Sequence, residues 1–158
     1  MRKRHAGRIL NITSMGGYIT FPGLGVYHGS KFALEGLSEA LDKEVKGFGI
    51  RVTAVGPGGF RTDWAGRSLV HVAGSIADYD EIREGSRKRL ADRNGKQPGD
   101  PRKAARAMLA AIESPNPPAH LLLGNDAWQL VNEKLDALKA EFNGWKETSL
   151  STDFPVGT

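Results

Sequence analysis

Short, nearly continuous apolar runs along the chain are separated by longer stretches in which apolar residues recur every three or four positions. Gly7 to Thr13 carries Ile9, Leu10 and Ile12 with little interruption, the pattern of a strand covered on both faces. Ile50-Arg51-Val52-Thr53-Ala54-Val55 repeats that pattern, and so does His120-Leu121-Leu122-Leu123, ended by Gly124. Between the first two runs the spacing predicts a helix from about Val26 to Gly47, stopped by Gly47 and Gly49. Phe32, Leu37, Ala40, Leu41, Val45 and Phe48 fall near one face, read as the inner one. Glu35, Glu39, Asp42, Lys43 and Lys46 lie opposite, on the face read as outer.

Beyond Gly56-Pro57-Gly58-Gly59 the pattern loosens. Residues 62–70 read as a short helix with Trp64 and Leu69 available to cover a pocket, and Ile76 to Arg93 as a charged helix with Ile82 and Leu90 inside. Asn94-Gly95 stops that helix; Asp100 caps the next, with Pro101 at its first position and Ala104, Met108, Leu109 and Ile112 buried. Ser114-Pro115-Asn116-Pro117-Pro118 is a rigid connector, and Trp128, Val131, Leu135, Leu138 and Phe142 stripe a last helix, read as core. Residues 1–147 form one unit and 148–158 an irregular tail without periodicity. Strand, helix, strand is one right-handed crossover, so the elements make half of a doubly wound α/β sheet. Its first strand is expected to want a neighbour, leaving an exposed edge or one covered by another chain.

Composition narrows the class. The 158 residues are 39% hydrophobic and 25% charged, ordinary for a globular domain able to bury a core. No apolar run approaches the length of a membrane span, and no apolar segment follows the basic Met1–His5, so neither a membrane protein nor a signal peptide is expected. Cysteine is absent, which removes thiol and disulfide chemistry and fits a cytoplasmic protein. The net charge of +4 comes from Met1–Arg8 and Arg83–Arg106 rather than from a basic face with interleaved aromatics, so nucleic-acid binding is not expected.

The candidate chemistry lies between Ser14 and Lys31. Tyr27 and Lys31 are four residues apart, hence stacked on one helix face, and Ser14 ends the first strand where open α/β sheets place ligands. A free phenol titrates near ~10, and bringing it to ~7 takes roughly 4 kcal/mol of preference for the phenolate. One ammonium at ~4 Å supplies about that at an effective dielectric near 20 but only about 1 kcal/mol in bulk water. Lys31 can therefore tune Tyr27 only in a partly shielded cleft, where Ser14 would hold a carbonyl or alcohol while Tyr27 exchanges its proton.

Ser14, Tyr27-x-x-x-Lys31 and Pro57-Gly58 together resemble the short-chain dehydrogenase/reductase family. The likeness implies the C-terminal half of a Rossmann-type parallel sheet, NAD or NADP as cofactor, and carbonyl reduction or alcohol oxidation of a small molecule. It further implies that Ser14, Tyr27 and Lys31 are catalytic and that Tyr27 and Lys31 also meet the cofactor, with Lys31 on the nicotinamide ribose. Pro57, Gly58, Phe60 and Thr62 would contact the nicotinamide, the Phe60 backbone and Thr62 hydroxyl at its carboxamide. The chain departs from the family in carrying no G-x-x-x-G-x-G or G-x-G-x-x-G turn for the cofactor pyrophosphate. The family's catalytic asparagine and the residue that selects NAD or NADP also have no counterpart. Met1–His5 looks like the tail of an earlier helix, so the chain is expected to begin at an internal methionine and to be inactive by itself.

Blander readings stand beside these. Ser14 alone could be a strand-end hydroxyl, Tyr27 a helix-start aromatic and Lys31 a solvated charge. His28 is read as a surface residue, and His71 and His120 have no partners spaced for a metal site. Phe60 and Trp64 line a pocket or pack a lid. The alternative function is a non-catalytic interaction module pairing with a second copy through helix 26–47. Sugar-nucleotide epimerases share Tyr-x-x-x-Lys, but the Pro57-Gly58 loop and short C-terminal region argue against them.

Overall fold

A computed structural model describes residues 1–66, 68–70 and 76–154. Strand β1 (Gly7–Ile12) leads into helix α1 (Gly25–Val45) and then strand β2 (Ile50–Pro57). Helices α2 (Asp80–Arg93) and α3 (Pro101–Glu113) precede strand β3 (His120–Leu123), which is followed by α4 (Asn125–Gly144) and α5 (Lys146–Leu150). The strands form one parallel sheet in the order β1-β2-β3, so the α/β reading holds with all three strands where the apolar runs put them. Val52, Ala54 and Val55 of the central strand are at most 1% exposed and, with Ala127 and Val131 of α4, are among the buried core residues.

The register decides where function can sit. Ile12 pairs with Val55, and the Thr13 amide donates to the Val55 carbonyl at 2.7 Å. The turns leaving β1 and β2 therefore lie side by side at the carboxyl ends of the strands. Turn chemistry follows the sequence: Gly49 after α1 adopts φ 65°, and Asp100 accepts hydrogen bonds from the Arg102 and Lys103 amides with Pro101 at the helix start.

Helix α1 is rotated relative to its apolar pattern: Glu39, Lys43 and Lys46 stay exposed as read, but Glu35 and Asp42 do not. His28, Glu35, Ser38 and Asp42 are its buried residues, whereas Phe32 is 45% and Leu37 67% exposed. The sheet offers this helix polar partners. Ser38 accepts from Asn11 Nδ2 at 2.9 Å and donates to the Leu34 carbonyl, and Asp42 accepts from the Val52 amide at 2.8 Å and Arg51 Nε at 3.1 Å. Periodicity separates two faces but does not say which one meets the sheet when the inner face is fully hydrogen-bonded.

Other inward assignments fail for a related reason. Ile82 and Leu109 are exposed, as are Trp128, Leu135 and Phe142, so the stripe of α4 is not core except at Val131. A three-stranded sheet covers only the first turns of α4. Of the segment read as a helix over 62–70, the described residues form a tight turn at Asp63–Ala65, and the short helix Lys146–Leu150 runs into the first residues of the tail read as irregular from 148. His71 lies outside the described residues, as does Pro155–Thr158 of the tail. No helix among the described residues is long and apolar enough to cross a membrane.

Asp42 makes one measurable prediction. Burial raises its pKa, but the Val52 amide and then Arg51 outweigh burial and hold the carboxyl below its ordinary value. A depressed folded pKa contributes stability at neutral pH that is lost as pH falls through it, below about 4. Asp42→Ala, which orphans the buried Val52 amide, is expected to cost about 1–3 kcal/mol in urea unfolding at pH 7 and much less at pH 2.5. An equal cost at both pH values would contradict the assignment.

Candidate active site

Ser14 follows β1 in extended backbone and caps the tight turn Met15–Gly17, its Oγ accepting from the Gly16 amide at 3.0 Å. Tyr27 and Lys31 project from the first turns of α1 toward that turn. Lys31 Nζ donates to the Ile12 carbonyl at 3.1 Å and stands 5.8 Å from the centre of the Tyr27 ring. Facing them is the loop after β2, where the Gly58 amide donates to the Leu123 carbonyl and the Gly59 amide to Asp126 Oδ2, both at 2.8 Å. A Cβ at position 58 would sit 2.1 Å from Asp126 Oδ1 and would displace the carboxylate that holds the Gly59 amide. An isolated bridge from Phe60 to Gly99 braces the far end of the loop.

These elements enclose a cavity of ≈ 440 Å³, within the range of small-molecule sites. Ser14, Tyr27, Lys31, Pro57, Gly58, Phe60 and Thr62 all line it, so every residue singled out from the sequence contributes to one cavity. Both undecided aromatics line it: the Trp64 ring is tilted against Tyr27 at 56° with centroids 5.3 Å apart, and the Phe60 ring also packs on Gly99.

Two residues important to the site have the opposite of their expected surroundings. His28 is 3% exposed rather than on the surface. Its Nε2 accepts from the Phe21 amide at 2.8 Å and its Nδ1–H donates to the Gly16 carbonyl at 2.9 Å, so it clips the Ser14 turn to the helix residue beside Tyr27. Glu35, one turn beyond Lys31 and assigned to the outer face, is also buried. Its carboxylate contacts the Thr13 hydroxyl, accepts from Tyr18 Oη at 2.6 Å and lies 3.1 Å from His120 Nδ1. Burial and then Glu35 push the Tyr18 hydroxyl above its ordinary pKa, which keeps it a donor. Asp126 and Gln97, which packs against Gly59, were likewise missed. Only the Lys31-to-Glu35 spacing, one helical turn, offered a signal in the sequence.

The family model described as short chain dehydrogenase matches residues 1–71, which include Ser14, Tyr27 and Lys31. The chain belongs to the short-chain dehydrogenase family. It is 35% identical over 152 residues to an oxidoreductase of Botryotinia fuckeliana, covering 96% of this chain and 55% of that protein. A 3-ketodihydrosphingosine reductase of Bacteroides thetaiotaomicron is 39% identical over 127 residues, covering 78% of this chain and 46% of that one. Among solved structures, a short-chain dehydrogenase from Streptomyces avermitilis superposes with a TM-score of 0.85 at 39% identity, covering 97% of this chain and 55% of that one. The chain thus spans about half the length of the short-chain dehydrogenases it matches.

The site can be tested against the nicotinamide cofactor of that family. An ammonium, a phenol and a hydroxyl gather on one wall, and a braced glycine loop with the Thr62 hydroxyl forms another, a donor set suited to a nicotinamide and its ribose. For the pyrophosphate the chain has no glycine-rich turn. The residues present fit the reactive end of the cofactor.

Proposed function

We propose that this chain carries the catalytic half of an NAD- or NADP-dependent oxidoreductase that interconverts a small-molecule alcohol and its carbonyl. The observation that carries this reading is the gathering of Ser14, Tyr27 and Lys31 around one cavity opposite the Pro57–Thr62 loop. The nicotinamide, when bound, accepts or supplies the hydride. The protein groups handle the proton and the geometry. Ser14 Oγ hydrogen-bonds the substrate oxygen, and Tyr27 Oη takes the hydroxyl proton during oxidation and returns it during reduction. The Lys31 ammonium stabilises negative charge on the Tyr27 oxygen and holds the ribose hydroxyls. Trp64 shields the phenol from water on one side. Pro57, Gly58, the Phe60 backbone and Thr62 hold the carboxamide.

The test is reconstitution. Joined to a glycine-rich phosphate-binding half from a relative, the chain is expected to form NAD(P)H from a secondary alcohol. Alone it is expected to bind NAD or NADP too weakly for turnover, because positioning and shielding of the cofactor are incomplete. Steady turnover by the isolated chain, or none from the joined protein across a panel of alcohols and ketones, would overturn the reading.

A second reading, a pairing module, is favoured by the outward Val26, Phe32 and Leu37 of α1. Light scattering with cofactor titration separates the two: a dimer that gains no cofactor affinity on joining favours the module.

A further inference from the structure

Among the described residues, three cationic side chains line the cavity, Lys31, Arg89 and Arg93, and no aspartate or glutamate does. The remaining lining is largely apolar, with Met15, Leu24, Trp64, Leu90 and Met108 among it. Lys31 is committed to the Ile12 carbonyl beside Tyr27. Arg89 and Arg93 belong to a different element, α2, and stand one turn apart on the same face.

The position of Arg89 is built into the fold. Its Nη2 donates to the Pro22 carbonyl at 3.3 Å and its guanidinium carbon lies 5.9 Å from the Phe21 ring centre. Ser86, one turn earlier and 5% exposed, packs onto Gly23, where a Cβ would be 2.9 Å from its own. Helix α2 is thereby seated on the Phe21–Gly23 turn, whose Phe21 amide is held by His28 next to Tyr27. Neither arginine is paired with a carboxylate among the described residues. Gln97, 9% exposed, lies in the same lining and adds no charge to it.

We propose that the substrate is an anion: an alcohol or ketone with an apolar body and a carboxylate or phosphate group held by Arg89 and Arg93. This deepens the oxidoreductase reading and rests on it. Guanidinium groups present forked donors matched to oxyanions, and two like charges one turn apart repel until an anion sits between them. A cationic substrate would meet three positive charges and no counter-charge.

The experiment measures binding, not turnover, to the 158-residue chain. Octanoate and octyl phosphate are compared with neutral octanamide by NMR titration, following the Tyr27 and Trp64 signals to locate the ligand. At least one anion is expected to bind about tenfold tighter than the amide, the size of one charge-assisted contact. In the Arg89→Gln/Arg93→Gln double variant that preference is expected to vanish while octanamide affinity is unchanged. Equal affinity of all three probes, a preference surviving in the double variant, or an anion bound away from Tyr27 and Trp64 would overturn the proposal. The oxidoreductase reading fails separately, through the reconstituted turnover above.

Discussion

Tyr27→Phe is expected to lower kcat of the reconstituted dehydrogenase by ~10²–10⁴ while leaving KM within a few-fold, because a positioned acid–base group contributes about that much. The substitution removes one oxygen and keeps the ring, whose packing on Trp64 at 5.3 Å and His28 at 5.6 Å is unaffected. A folded protein with unchanged circular dichroism but almost no NAD(P)H formation from alcohol is the expected result. Lys31→Ala should lose turnover too and, unlike Tyr27→Phe, weaken cofactor affinity, if the ammonium serves both the phenol and the ribose as proposed. If Tyr27→Phe retained kcat within tenfold of the parent, the proton would have to travel through another group, and the role proposed for Tyr27 would be wrong.

What could be read from residues alone, and what could not, divides along a physical line. The strands were legible because each is a short apolar run bounded by glycine or proline, and β2 is buried along nearly its whole length. That these residues share one cavity was legible because Ser14, Tyr27, Lys31 and the Pro57–Thr62 loop are placed by local geometry: a strand end, a helical turn and a loop that register brings beside it. Contacts between elements were not legible. Glu35 and Asp42 look like solvated charges on any helical wheel. Only the facing strands supply the Thr13 hydroxyl, Arg51 guanidinium and Val52 amide that let them be buried. His28 and Asp126 belong to the same group. Each is buried or half-buried against backbone amides and carbonyls, which have no sequence signature.

Glu35→Ala is expected to be among the most destabilising single substitutions in the chain, at about 3 kcal/mol in urea unfolding, because it removes at once the acceptor shared by the buried Thr13 hydroxyl, the half-buried Tyr18 phenol and the exposed His120 ring. The carboxylate touches Thr13 at the end of β1, Tyr18 just past the turn and His120 at the start of β3, all from the helix that carries Tyr27 and Lys31. Thr13 and Tyr18 bracket Ser14, so one side chain fixes both ends of the segment presenting the serine hydroxyl. Space is tight around it: a Cβ on Gly17 would lie 2.8 Å from Glu35 Cγ. Glu35→Gln keeps the shape and one acceptor oxygen, so it should cost nearer ~1 kcal/mol. Tyr18→Phe should also cost about 1 kcal/mol. Combined with Glu35→Ala it should add less than it costs alone, since the phenol has already lost its Glu35 acceptor and keeps only His120 Nδ1, 2.8 Å away. Strict additivity of the two substitutions would mean that Tyr18 and Glu35 do not share an interaction, and the clamp on Ser14 would have to be sought elsewhere.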